Sequence, residues 1–305
     1  MIQTRREALK SIGLAATAPS VVLSRTPAKR YPIAFSTLGC PKWEWKTILG
    51  HASEWGYAAI ELRGIQAEMD LTKRPEFIGD RLKGSLKDLA AVDLRISDLG
   101  ASATMHEPDP AKRAKQIEEG KRFIDLAQQL KAPYVRVFGD KLVQGEPKQA
   151  TIDRIIGGLQ ELGRHAKGSG VQVIMETHGD FPDSPTILQI VKGANMPEVA
   201  LLWDTHHTVV TGKEKPADTM KQLGKYVRHV HLKDSVPAGT DVRYVLTGTG
   251  KVPVREIVME LAKNKYAGFY CYEWEKTWHP EIEEPEIAFP HYAKTMTQYL
   301  VDAGL

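Results

Sequence analysis

From Tyr31 onward, short apolar runs alternate with longer stretches in which apolar and charged residues mix. The runs are 33–38 (IAFSTL), 57–62 (YAAIEL), 94–99 (LRISDL), 134–139 (YVRVFG), 171–176 (VQVIME), 199–204 (VALLWD), 227–232 (VRHVHL) and 267–273 (AGFYCYE). Their length and their content of Val, Ile, Tyr and Phe predict eight buried strands. A helical stretch follows each one. Three of these open with a capping side chain and then a proline at the first helical position: Asp109-Pro110, Ser184-Pro185 and Glu284-Pro285. Within 110–130, Ala114, Ile117, Phe123, Ala127 and Leu130 fall near one stripe, as in a helix that lays one face on a sheet. Eight strand–helix units predict an α/β fold closed into a (β/α)8 TIM barrel. An open doubly wound sheet would want a glycine-rich turn after the first strand, and Leu38-Gly39-Cys40-Pro41 is not one. No low-complexity linker interrupts 31–305, which reads as one domain.

Composition adds little to that picture, and charge adds more. The 305 residues are 42% hydrophobic and 26% charged, an ordinary balance for a water-soluble domain. No run approaches the roughly 18 apolar residues of a membrane span, so stable membrane insertion is not expected. The formal charge of +3 is unevenly placed: residues 1–30 hold six basic side chains against Glu7, a balance of +5 that leaves −2 on the remainder. A remainder of that sign lacks the basic face of a nucleic-acid binder. Thr4-Arg5-Arg6-Glu7-Ala8-Leu9-Lys10, followed by a modest apolar run from Ile12 to Leu23, resembles a twin-arginine export signal. Residues 1–30 are therefore read as a signal segment and the protein as periplasmic or otherwise exported. Ala16-Thr17-Ala18 suits cleavage, whereas Pro19 directly after it does not. Export would permit a bridge between Cys40 and Cys271, since the first and eighth strands of a barrel adjoin, but two buried free thiols are the commoner outcome.

Barrel enzymes carry their reactive groups at the C-terminal ends of the strands. Here the fifth run ends in Glu176 and the sixth in Asp204; the seventh carries His229 and His231, and the eighth ends in Glu273. Strand alternation puts the two histidines on one face roughly 6.6 Å apart, with His231 level with the carboxylates and His229 deeper. Carboxylates converging on one cavity repel each other unless a cation joins them. Glu176, Asp204, His231 and Glu273 are thus expected to hold one divalent metal. The oxygen-rich set leans towards Mn²⁺ over Zn²⁺, with Co²⁺ and Mg²⁺ as further candidates.

The motifs M-E-T-H at 175–178, W-D-T-H-H at 203–207, H-V-H-L-K-D at 229–234 and Y-E-W-E at 272–275 resemble the sugar phosphate isomerase/epimerase-like superfamily of xylose isomerase-type barrels. The resemblance spans about residues 31–305, and the stretch 278–291 is similar to exported bacterial members. It implies the same four metal positions, with Glu176 and Glu273 serving also as proton-transferring bases. It places His207 at a substrate oxygen, with a pKa expected near the operating range. The implied substrate is a keto-sugar or related small carbohydrate, isomerised or epimerised through an enediolate. Elimination of a β-substituent from a 3-keto-glycoside or an inosose is the alternative exit, and a metal-bearing sugar-binding barrel without turnover is a third reading.

The endonuclease branch of that superfamily adds an Asp-x-His pair after the seventh strand. Asp241-Val242-Arg243 puts a guanidinium in place of that histidine, and a guanidinium is not a metal ligand. One metal, and no phosphodiester chemistry on DNA, is the expectation. Arg243 joins His207, Lys233, Glu61 and Arg136 as substrate-binding candidates. Glu61 and Arg136 could equally pair with each other inside the barrel, and Lys233 could be a solvated surface residue. Trp43, Trp45, Trp274, Trp278 and His279 are assigned to mouth loops, where they either face a sugar ring or pack the loops. Thr247-Gly248-Thr249-Gly250-Lys251 is either a phosphate cradle or a plain turn. Homo-oligomerisation stays open.

Overall fold

The computed structural model describes residues 30–305, so the paired arginines and the apolar run assigned to export lie outside the described residues. All eight expected runs are strands: β1 (Ile33–Ser36), β2 (Ala59–Leu62), β3 (Arg95–Thr104), β4 (Tyr134–Phe138), β5 (Gln172–Glu176), β6 (Val199–Asp204), β7 (Val227–Leu232) and β10 (Tyr270–Tyr272). They pair in parallel in that order, and β10 pairs back onto β1 to close the barrel. Helices α1 (Trp45–Glu54), α2 (Asp80–Ala91), α3 (Pro110–Leu130), α4 (Lys148–Ala166), α5 (Ser184–Ala194), α6 (Pro216–Leu223), α7 (Val254–Lys263) and α8 (Pro285–Asp302) follow the barrel strands in turn. Among the described residues no helix is long and apolar enough to cross a membrane.

All three helices open with the expected proline at the first or second position, but only one of the three expected caps forms at its place. Asp109 Oδ1 accepts from the Lys112 amide at 2.8 Å, and α8 opens at Pro285 after Glu284, whose side chain makes no cap bond. In α5 the cap lies one residue earlier than expected: Asp183 accepts from the Thr186 amide at 2.9 Å, while the Ser184 hydroxyl donates to Glu214.

One element is not announced by the apolar pattern. After β7, β8 (Asp234–Ala238) and β9 (Asp241–Val245) form an antiparallel hairpin closed by Gly239 and Thr240. Both strands are short and polar and β8 contains Pro237, which hides them; Gly239, at φ +66°, is the turn signal that could have revealed them.

Outward-facing side chains such as Ile60, Val135, Val173, Leu201, Trp203 and Val230 pack under the helices as one continuous core. The inward face differs from the branched aliphatic filling usual in such barrels. Among the described residues, two small apolar clusters, Ala34–Ala59–Cys271 and Ile174–Ala200–Leu202, occupy it. Glu61, Asp98, Arg136, His229 and His231 are buried beside them. Cys40 and Cys271 are both buried free thiols, and no bridge joins them.

Candidate metal centre

The ends of β5, β6 and β7 and the residue after β10 bring Glu176, Asp204, His231 and Glu273 together, one donor atom from each lying within 4.8 Å of the others. His231 Nδ1 is 3.1 Å from Glu273 Oε1 and 3.5 Å from Glu176 Oε1. All four side chains are buried. The other ring nitrogen of His231 meets Glu61 Oε2 at 2.7 Å, and the same oxygen meets His229 Nε2 at 3.1 Å. An ionised carboxylate only accepts, so Nε2 carries a proton and Nδ1 is the nitrogen left facing the cavity, where loss of its own proton would free a lone pair for a metal. Carboxylates orient metal-binding imidazoles in this way. Glu176 Oε2, Asp204 Oδ2 and His231 Nδ1 are buried without an aligned hydrogen bond, although charged neighbours approach them. Buried groups left so are destabilising, and a single dication would satisfy all of them. The donor set fits a divalent metal.

The electrostatics agree. Burial pulls the His231 imidazole down, but the Glu273 and Glu61 carboxylates outweigh it and hold its pKa well above the ordinary value. Burial would raise Glu176, yet the Arg136 guanidinium, Nε to Oε2 at 3.1 Å, holds it at about 2. Burial likewise opposes ionisation of Glu273, but His231 and Lys233 keep it well below the carboxylate range. Asp98 is pushed well up by burial and by the neighbouring Glu61. Around the cavity, the carboxylates of Glu61, Glu176, Asp204, Glu273 and Glu275 face the cations Arg63, Arg136 and Lys233, five against three. With His231 deprotonated to serve as a ligand, one dication closes that difference of two.

Several candidates sit differently from their alternatives in sequence. Lys233 is not a solvated residue: it is buried, with Nζ 2.9 Å from Asp204 Oδ2, 2.5 Å from Glu273 Oε2 and 2.5 Å from Glu275 Oε1. Glu61 and Arg136 do not pair with each other. Arg136 reaches Glu176, donates to the Ala101 carbonyl at 3.0 Å and stacks 3.9 Å from the Phe138 ring centre, while Glu61 serves the two histidines. His207 Nε2 lies 3.6 Å from Asp204 Oδ2. Its pKa is not near neutrality: burial first, then Lys233 and His178, push it down to about 4, so it is a neutral imidazole.

Arg243 does not join the others. It lies exposed on β9, and its strand neighbour Tyr244 takes the inward side, where it packs against His206 and lies 5.7 Å from Lys233 Nζ. The 247–251 loop cradles a carboxylate of the chain itself: the Gly248 and Gly250 amides each donate to Asp234 Oδ2 at 2.9 Å. Trp43, Trp45 and Trp274 are packing residues, bonded through their indole N–H to Glu286, Asp88 and the Glu283 carbonyl. Trp278 is exposed, and His279 meets the Tyr244 ring edge-on at 5.0 Å.

A cavity of about 500 Å³ opens beside His207, lined by His206, Tyr244 and the Gly239–Asp241 tip of the hairpin. A larger hollow of about 640 Å³ near Asp70 and Arg122 contains none of the centre's residues. The sequence pattern does not point to Tyr244 at the mouth, and it gives Glu275 and Arg63 no firm place there. Glu275 and Arg63 each follow a recognised residue by two positions, which is the strand period and the signal that points to them.

Comparison with known proteins gives three kinds of match. A family model described as a xylose isomerase-like TIM barrel matches residues 49–290. Fructoselysine 3-epimerase of Shigella flexneri is 26% identical over 242 residues, covering 73% of this chain and 82% of its own length. An inosose dehydratase of Bacillus cereus is 26% identical over 172 residues, covering 50% of this chain and 55% of its own. The solved structure of L-ribulose 3-epimerase shares the fold with a TM-score of 0.73 at 17% identity, covering 89% of this chain and 95% of that one.

Proposed function

Because the chain belongs to the xylose isomerase-like TIM barrel family, we propose that it is a divalent-metal-dependent isomerase or epimerase that moves a proton beside the carbonyl of a keto-sugar. The observation that carries this reading is the pairing of Glu176 and Glu273 about one imidazole. They come from strands separated by β6 and β7, and each lies within 3.5 Å of His231 Nδ1. A ligand in that cavity meets a carboxylate from two directions, as proton exchange on either face of a carbon requires. Glu176, Asp204, His231 and Glu273 would hold the metal, which when bound polarises a carbonyl and acidifies the adjacent C–H; the oxygen-rich set favours Mn²⁺. Arg136 keeps Glu176 ionised, and His231 and Lys233 keep Glu273 ionised, so either can accept the proton and return it. Neutral His207 is placed to donate to, or accept from, a substrate hydroxyl. Two of the relatives above are named 3-epimerases, which supports the same chemistry.

A second reading has its own support. The ammonium of Lys233 lies against Glu273, and such a pair can protonate a departing β-oxygen, ending the same intermediate in elimination. The inosose dehydratase match is in keeping with this. The deciding experiment incubates metal-loaded protein in D₂O with free ketoses, inososes and 3-keto-glycosides, read by mass spectrometry. Isomerisation or epimerisation retains the substrate mass apart from deuterium gained; elimination releases water or an aglycone. Absence of both deuterium uptake and product across the panel would overturn the reading. Chelation should abolish the activity and Mn²⁺, Co²⁺ or Mg²⁺ restore it; full activity in protein shown metal-free by elemental analysis would remove the metal from the proposal. Export is part of the same proposal, and exchanging Arg5 and Arg6 for Lys should leave the protein in the cytoplasmic fraction.

A further inference from the structure

Arg63 is a buried cation of the barrel mouth with no partner among the described residues. It follows β2 two positions after Glu61, so strand alternation turns it to the same interior face. Its backbone is pinned on both sides by one hydroxyl: Thr37 Oγ1 accepts from the Arg63 amide at 2.8 Å and donates to the Gly64 carbonyl at 2.6 Å. Its side chain crosses β3 at Gly100, where an added Cβ would fall 2.5 Å from Arg63 Cδ and 2.8 Å from an Arg136 terminal nitrogen. That glycine gives two neighbouring arginines room to enter the cavity.

The two arginines are then used differently. Arg136 is spent on Glu176, Ala101 and Phe138. The Arg63 side chain makes no hydrogen bond and no ion pair with any described residue, although it is only 8% exposed and its Nη1 is wholly buried. Burial, then the neighbouring Arg136, lower its pKa to about 9 against the pull of the Glu176, Glu273 and Glu61 carboxylates, none of which bonds it. A buried guanidinium without a partner is destabilising. A fold that nonetheless pins its backbone and clears its path is holding donors ready for something that arrives later.

We propose that Arg63 is a substrate-binding residue whose free N–H groups donate to a pair of oxygens on a neutral, polyhydroxylated substrate. This rests on the keto-sugar reading above. With one dication bound, the carboxylates and cations around the cavity balance and leave no cationic excess to draw an anion, while the fixed fork of guanidinium N–H groups can donate to two adjacent oxygens. Arg63 lies three strands round the ring from Lys233, so the two cations would hold different parts of the ligand.

The test compares wild type, Arg63→Met and Arg63→Lys as metal-loaded full chains. Arg63→Met should keep one metal per chain and leave Tm unchanged or raised, because an unpaired buried charge has gone. Its KM for the keto-sugar that wild type turns over should rise about tenfold or more, with a much smaller change in kcat. Arg63→Lys, which keeps the charge but not the fork, should fall between. A deoxy analogue lacking the hydroxyl that Arg63 holds should bind wild type and Arg63→Met equally. A lowered Tm or lost metal in Arg63→Met with KM unchanged would make the residue structural and overturn the inference. Failure of the keto-sugar reading shows separately, as wild type inert towards the whole sugar panel. In that event the Tm comparison without sugar still decides, since a fall in Arg63→Met overturns the inference and a constant or raised Tm supports it.

Discussion

Glu61 Oε2 accepts the Nε2–H of His231 at 2.7 Å, so a carboxylate from β2 orients an imidazole on β7 across the barrel interior. The candidate metal centre therefore extends one layer below its four donors, to the carboxylate that orients the imidazole. Glu61→Gln keeps the shape and removes the charge that holds this tautomer. Metal affinity should drop by about 10–100-fold, as for other partners of metal-bound histidines, with the fold intact by circular dichroism. Unchanged affinity in a calorimetric titration would take Glu61 out of the centre.

The two proposed bases, Glu176 and Glu273, should separate cleanly from His207. Glu176→Gln and Glu273→Gln each remove both a donor and a base, so metal stoichiometry and turnover should fall together, and loss of the base alone costs about 10²–10⁴-fold in rate. His207→Ala should keep the metal while KM or rate suffers. If His207→Ala loses the metal and Glu273→Gln keeps metal and rate, the strand-end assignment on β10 is wrong and passes to Glu275.

The direction of the His231 shift makes metal binding a proton-releasing reaction. In metal-free protein its pKa stands well above the ordinary 6.5, raised by Glu273 and Glu61 against the pull of burial, so it is protonated at neutral pH and must lose that proton to bind. About one proton per metal should appear in calorimetry run in buffers of different ionisation enthalpy, and affinity should weaken as pH falls. His207, held at about 4 by burial, Lys233 and His178, is already neutral there. The activity profile of metal-saturated protein should therefore show no limb near pH 6.5, and one that disappears in His207→Ala would contradict this.

Lys233 stands where it would compete with a bound cation. Its Nζ lies 2.9 Å from Asp204 and 2.5 Å from Glu273, both proposed metal ligands. Lys233→Met removes one positive charge from that cluster, and at these separations a unit charge is worth enough for about tenfold or more in affinity. Metal should bind more tightly while turnover falls. Looser binding would show instead that the ammonium supports the donors.

How much of this was legible in the chain follows from what repeats locally. Each barrel strand is a short run of Val, Ile, Leu and aromatics because its outer face must pack under helices, and that requirement is met residue by residue; eight runs therefore announced eight strands. Strand ends are equally local, so the order of residues alone puts Glu176, Asp204, His231 and Glu273 at the mouth, with His229 below His231 by alternation. Pairings inside the barrel are not local. Glu61 bonds residues 168 and 170 positions away, and Lys233 bonds residues 40 and 42 positions on. Only closure of the sheet decides which charge meets which. The hairpin β8–β9 and the outward turn of Arg243 were hidden for a related reason: a short polar ribbon carries almost no apolar period, and its faces acquire an inside and an outside only once it lies against the barrel. The same closure left Arg63 buried beside Arg136 without a partner among the described residues, a fact of spacing in three dimensions that no order of residues along β2 contains.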